Sequence, residues 1–169
     1  MTRGTRGAIG RRAGGTATTF RILAALVLGS AAAARAQSAP PLEQQIAPLL
    51  DSQLVAANAH DTDRFLETFV HDSTLVQVFN GEVTVGYPAV RALQLRWWNN
   101  GRSDVAYSRA APPSFLVLSP GAVVVTEPLT AERTGADGQV ARRTIAVTMV
   151  WQKQDEGWRV AYQHESTAH

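Results

Sequence analysis

The sequence predicts an α+β domain: three N-terminal helices packed against a strongly curved antiparallel sheet. Three observations lead there. Between residues 42 and 101, apolar side chains recur at three- and four-residue steps, the spacing of one helix face. From Ser103 onward, β-branched and aromatic segments follow one another between Gly- and Pro-containing turns, as in a run of strands. Helices first and strands after, rather than in alternation, is the α+β order.

The chain begins with a segment of a different kind. Residues 1–36 carry six arginines and no acid, with an apolar run from Ile22 to Ala34 and the sequence Ala34-Arg35-Ala36. A charged start, a short apolar stretch and a small-x-small site are the parts of a secretory signal peptide. Cleavage is expected after Ala36, and export to the periplasm or the medium. The apolar run is too short to span a bilayer, which takes about 20 residues, so no stable membrane insertion is expected after cleavage. Arg11-Arg12 raises the twin-arginine route. Ala13-Gly14-Gly15 follows where that signal has apolar residues, so the general secretory route is favoured. Of 16 basic residues only Lys153 is not arginine, a bias that suggests a bacterium with a GC-rich genome.

Residues 37–41 read as a linker and 42–169 as the domain. Leu42, Ile46, Leu49, Leu50, Leu54 and Ala57 form the first helix face, with Pro48 inside the run. Asp61 or Thr62 caps the second helix by accepting from exposed backbone N–H groups, and Phe65, Leu66, Phe69 and Val70 are its apolar side. Thr74–Phe79 and Glu82–Val85 flank Asn80-Gly81, a pair that tolerates the positive φ of a hairpin turn. Pro88 opens the third helix, which stops at Asn99-Asn100-Gly101. Trp97 is read as its core-facing tryptophan. The strands that follow are 105–109, 115–118, 122–133, 140–152 and 158–166. Pro128 cannot donate to a ladder, so it marks a bulge or an edge.

Composition removes several functions. Hydrophobic residues make up 45% and charged residues 18%, enough apolar surface for a core. There is no cysteine, which excludes disulfides, thiolate metal sites and a cysteine nucleophile. The formal charge of +2 misleads: removing the six leader arginines from 16 basic residues leaves ten against 14 acids, a net of −4. A mildly acidic domain lacks the clustered Lys and Arg that nucleic acid requires, so no nucleic-acid partner is expected.

Four stretches resemble the NTF2-like superfamily, its SnoaL-like and DUF4440 group in particular. They are Ala56-Ala57-Asn58-Ala59-His60-Asp61 with Phe65 and Phe69, His71-Asp72-Ser73-Thr74-Leu75, Asn80-Gly81 with Gly86-Tyr87-Pro88-Ala89-Val90, and Gly157-Trp158-Arg159-Val160 with His164 and Ser166. Together they span about residues 42–167. The resemblance implies a cone of curved sheet closed by helices, a pocket at its wide end and a homodimer formed through the sheet. It does not imply a reaction, because these relatives share a fold and differ in chemistry. In the similar ketosteroid isomerase a base carboxylate and an oxyanion tyrosine occupy positions that align with Gln77 and Gln53. An amide cannot take a proton as a carboxylate can, so isomerase chemistry by that route is disfavoured.

Among titratable residues, His164 stands out. Simple alternation along the last strand places Trp158, Val160, Tyr162 and His164 on one face. If that face lines the pocket, His164 is a general acid or base near neutral pH. The alternative is a histidine bonded in the wall or at a dimer interface. His60-Asp61 and His71-Asp72 are neighbours in sequence that do not point together, so Asp61 is read as a cap and Asp72 as a turn residue. His164-Glu165 with His169 lacks the H-E-x-x-H spacing of a zinc site, and neither metal nor cofactor is expected. The expected function is binding of a small, largely apolar molecule, with Gln53, Gln77, Trp98, Tyr162 and His164 around it. An acid–base enzyme of the lyase, isomerase or hydrolase type using His164 is one alternative; a non-catalytic interaction module is the other.

Overall fold

A computed structural model describes residues 40–135 and 137–167 of the chain. The leader, its cleavage site after Ala36, linker residues 37–39 and His169 lie outside the described residues. Helix α1 spans Leu42–Asn58 and continues past Pro48, whose ring lies on the exposed side. Ile46, Leu50, Gln53, Ala56 and Ala57 form its buried stripe. Helix α2, Thr62–Leu66, is capped by Asp61, which accepts from the Arg64 N–H at 3.1 Å. Strands β1 (Val76–Phe79) and β2 (Glu82–Val85) form the expected hairpin, with Asn80 at φ 45° and Gly81 at φ 92°. Helix α3 (Tyr87–Trp97) carries Pro88 in its first turn. Strands β3 (Ala106–Arg109), β4 (Ser114–Ser119), β5 (Ala122–Thr134), β6 (Val140–Gln154) and β7 (Gly157–Thr167) complete the sheet.

The strands lie in the order β2-β1-β7-β6-β5-β3, with β4 beside β3 on the same flank of β5. The sheet is curved and unclosed, and it is mixed rather than antiparallel, because β1 runs parallel to β7. The chain leaving α2 explains the direction. The Val70 N–H donates to the Val160 carbonyl and the Val160 N–H donates to the Thr68 carbonyl. The segment is therefore laid alongside β7 before β1 begins. Only a tight hairpin would have forced the opposite sense.

Pro128 occupies an edge inside a central strand. Strand β4 pairs with residues 122–126 of β5 and β3 with residues 129–132. Pro128 falls in the gap between them, its carbonyl accepting from Ala110. Its missing N–H faces the same gap, so no ladder bond is lost.

One core fills the concave side. Ile46 and Leu50 of α1, Leu66 of α2 and Val90 of α3 pack with Val123 and Val125 of β5, Trp151 of β6 and Val160 of β7. The tryptophan assignment in α3 reverses: Trp98 is buried, whereas Trp97 is half-buried. Trp98 turns inward at the helix C-terminus, where its ring lies edge-on to Phe65 at 5.2 Å.

Replacing Asp61 with Ala leaves an orphan N–H at the start of α2, and about 1 kcal/mol of stability is expected to be lost. Urea unfolding of Asp61→Ala checks it; an unchanged midpoint would contradict the capping role.

Candidate functional site

Between α1, α3 and the sheet lies a cavity of about 220 Å³. Its position follows from side-chain parity along β7. Strand β6 pairs Val150 with Tyr162 but Trp151 with Val160, so Ala161 is an extra residue. Such a bulge shifts alternation by one. Trp158 and Val160 face inward before it, and Gln163 and Glu165 after it. Tyr162 and His164 consequently project from the opposite face, away from the cavity. The face assignment by simple alternation fails from Ala161 onward for this reason.

Of the five residues expected around a ligand, Gln53 and Trp98 line the cavity. Gln77 faces the same side but lies behind the lining, only 1% exposed. It sits beside Gln163 in the parallel register, and neither end of its amide has a hydrogen-bond partner among the described residues. Asp61 and Asp72 are the cap and the turn residue expected. Asp72 accepts from the backbone N–H of Thr74 at 2.7 Å and from its hydroxyl at 2.6 Å. The His60 and His71 rings bond to the carbonyls of Val105 and Leu66, not to the neighbouring aspartates.

The residue missed is Glu165. Its carboxyl lies in the cavity wall beside Phe79 of β1. Burial, with no compensating partner, pushes its pKa up to about 7, because desolvation disfavours the charged form. The sequence offers one faint signal: two successive apolar residues, Val160-Ala161, interrupt the alternation just where the parity changes.

The other polar groups of the wall are held by their neighbours. The Gln53 amide N–H donates to the Thr68 hydroxyl at 2.7 Å, and Thr68 donates to the Phe65 carbonyl. That chain turns the Gln53 carbonyl away from Thr68. Trp98 donates its indole N–H to the Tyr107 hydroxyl at 3.2 Å, and burial, with the Glu165 charge adding to it, raises the Tyr107 pKa. Asn58, ending α1, holds Tyr107 by its backbone: its amide donates to the Tyr107 carbonyl at 2.9 Å and accepts from the Tyr107 N–H at 2.7 Å. Arg109 bridges Glu127 and Asp51, each at 2.5 Å. Burial raises the Glu127 pKa against the pull of Arg109.

Two outcomes are expected of these groups. In the folded chain Glu165 keeps its proton up to about pH 7, whereas the ordinary carboxyl value is 4.5. The native state then binds more protons than the unfolded one between those values, and stability falls as pH rises through that window. Glu165→Gln removes this loss: near-equal stability at pH 5 and a gain on the order of 2 kcal/mol at pH 8, read by urea unfolding. Arg109→Leu leaves Glu127 buried without its counter-ion and is expected to cost about 3 kcal/mol. The pair Arg109→Leu with Glu127→Leu recovers most of it in a double-mutant cycle.

Comparisons with known proteins agree with this architecture. No curated protein matches the chain. An NTF-2 like protein of unknown function from Shewanella oneidensis is 21% identical, with a TM-score of 0.61 over 73% of this chain and 97% of that one. A ketosteroid isomerase-like protein from Erwinia carotovora atroseptica is 21% identical, with a TM-score of 0.62 over 77% and 99%. The association domain of C. elegans CaMKII is 16% identical, with a TM-score of 0.61 over 73% and 94%. At these identities the likeness is one of fold. The solved structures show that the chain has the NTF2-like fold; the SnoaL-like domain family matches residues 46–169, and the chain belongs to this SnoaL-like family.

Proposed function

We propose that this chain is an exported domain that binds a small, largely apolar molecule in its cavity and works as a homodimer. The cavity carries the reading. Its walls are mainly aromatic and aliphatic, while the Gln163 carbonyl oxygen and the Glu165 carboxyl are left without protein partners. Apolar walls with a few convergent polar groups are the usual makeup of a ligand site. At about 220 Å³ the space lies below the roughly 300–1,000 Å³ of drug-sized sites, so the ligand is about the size of one substituted ring. Export is supported by the arginine-rich leader and the Ala34-Arg35-Ala36 site. Among the described residues no helix is long and apolar enough to cross a membrane. The homodimer is supported by the family resemblance and by a structural neighbour described as an association domain.

A second reading rests on Glu165 alone. A carboxyl titrating near 7 is poised to give or take a proton at neutral pH. In that reading it replaces His164 as the acid–base group of an enzyme acting on the bound molecule.

Native mass spectrometry of protein expressed with its leader tests the first reading. The expected species is a dimer of chains beginning at Gln37, carrying extra non-covalent mass. Val147→Phe places a ring in the cavity and is expected to abolish the extra mass while the dimer persists. An empty chain whose thermal midpoint no ring-sized compound raises would overturn the binding reading.

A further inference from the structure

Several polar groups of the cavity wall have no protein partner among the described residues. The Gln53 carbonyl is turned away from Thr68 because its N–H is already donated there. Gln163, 3% exposed, has an amide oxygen with no partner. Glu165 presents a whole carboxyl. The indole N–H of Trp98, which could have served as a donor, is spent on Tyr107. Open donors and acceptors both occur in this wall, and its one carboxyl without a counter-ion, Glu165, favours a cationic partner.

Charge leans the same way. Arg109 of β3 faces two carboxylates, Glu127 and Asp51, and the Arg133 side chain of β5 pairs with Asp104. Ionised Glu165 adds another negative charge, and no cation among the described residues pairs with it. Rings surround this space. Phe79 and Trp97 lie tilted against each other at 4.7 Å and Phe65 meets Trp98 edge-on at 5.2 Å, and all four line the cavity with Tyr107. Aromatic faces attract cations through their quadrupoles, more strongly when water is excluded.

We propose that the cavity selects a small organic ammonium ion with an apolar body, with Glu165 as its counter-ion and the Phe79, Trp97, Trp98 and Tyr107 rings around it. The assignment rests on the binding reading above and names the ligand class for that same site. An ammonium head supplies donors to the Glu165 carboxylate and to the Gln53 oxygen. It also supplies the positive charge that lets Glu165 ionise inside the wall. The other titratable groups facing Glu165 are Tyr107 on β3 and Glu127 with its Arg109 partner on β5 and β3; none adds a free positive charge.

The test compares 2-phenylethylamine, 2-phenylethanol and 3-phenylpropionate, which share a ring and differ in the head group. Calorimetric titration of the whole purified protein at pH 8 and low salt reads their affinities. The amine is expected to bind at least tenfold tighter than the alcohol, and the carboxylate more weakly than either. In Glu165→Gln the amine is expected to drop to the level of the alcohol, and urea unfolding verifies that this variant is folded. Glu165→Asp keeps the charge and is expected to keep part of the amine's advantage. Equal binding of amine and alcohol, or an advantage that survives Glu165→Gln, overturns the cation assignment and leaves the apolar cavity standing. No binding by any of the three compounds overturns both.

Discussion

One bulge in β7, at Ala161, decides what the cavity contains. Were Ala161 paired as an ordinary strand residue instead of bulged, the alternation would run unbroken, and Tyr162 and His164 would share the inner face with Val160. With the bulge, Gln163 and Glu165 turn inward. A strand has no intermediate setting: a shift of one residue moves every later side chain to the other face. The bulge also exchanges chemistry. It turns the His164 imidazole out of the interior, and it buries a carboxyl whose surroundings bring it to about 7. Proton affinity similar to that of a histidine is thus reached with a group that is neutral when protonated and anionic when not.

The opposite wall depends on two ties between helix and sheet. Asn58 serves β3 as a substitute strand partner, pairing with both the N–H and the carbonyl of Tyr107. Arg109 links Asp51 of α1 to Glu127 of β5 from its own place on β3. Strand β3 is an edge and short, so it gains little from its own ladder. These side-chain bonds from α1 place it, and with it Tyr107. The salt bridges are not equivalent. Asp51 is largely exposed, and its pairing contributes little. Glu127 is buried, and removing its partner leaves a charge that the interior cannot solvate.

The elements were legible from the sequence because their signals are local. Asn80-Gly81, Pro88 and Asp61 each act within a few residues, through φ, a missing N–H and a cap. All seven strands begin and end near the positions that β-branched runs and turn residues indicate. What escaped was set by pairing. The parallel β1–β7 contact joins segments far apart in sequence, directed by the Val70 and Val160 bonds. The bulge at Ala161 exists only relative to β6. Trp97 and Trp98 differ by one helical step, and their roles are decided by where α3 ends, not by residue type. Gln53, on a regular position of α1, and Trp98, capping α3, reach the cavity wall, whereas Tyr162 and His164 lie just after the bulge and face away from it.

The buried polar residues divide by whether the protein answers them. Gln53 is bonded to Thr68 and Glu127 to Arg109, and each can be understood as holding the wall together. Gln77 and Gln163, side by side on β1 and β7, are not answered in this way: the Gln77 amide is unpaired at both ends and Gln163 at its oxygen. An unsatisfied buried polar atom costs about 1–3 kcal/mol, and leucine in either place would pack without that cost. Glu165 adds the penalty of a carboxyl without a partner. Gln163 and Glu165 lie in the floor of the cavity with Gln77 directly behind Gln163, while the core cluster beside them is apolar. Stability alone would not place them there, because folding gains nothing from buried polar groups that no partner reaches. Of the three, Gln163 and Glu165 border the cavity, whereas Gln77 lies behind them, and the Glu165 carboxyl is the group whose missing partner a molecule entering that space can supply.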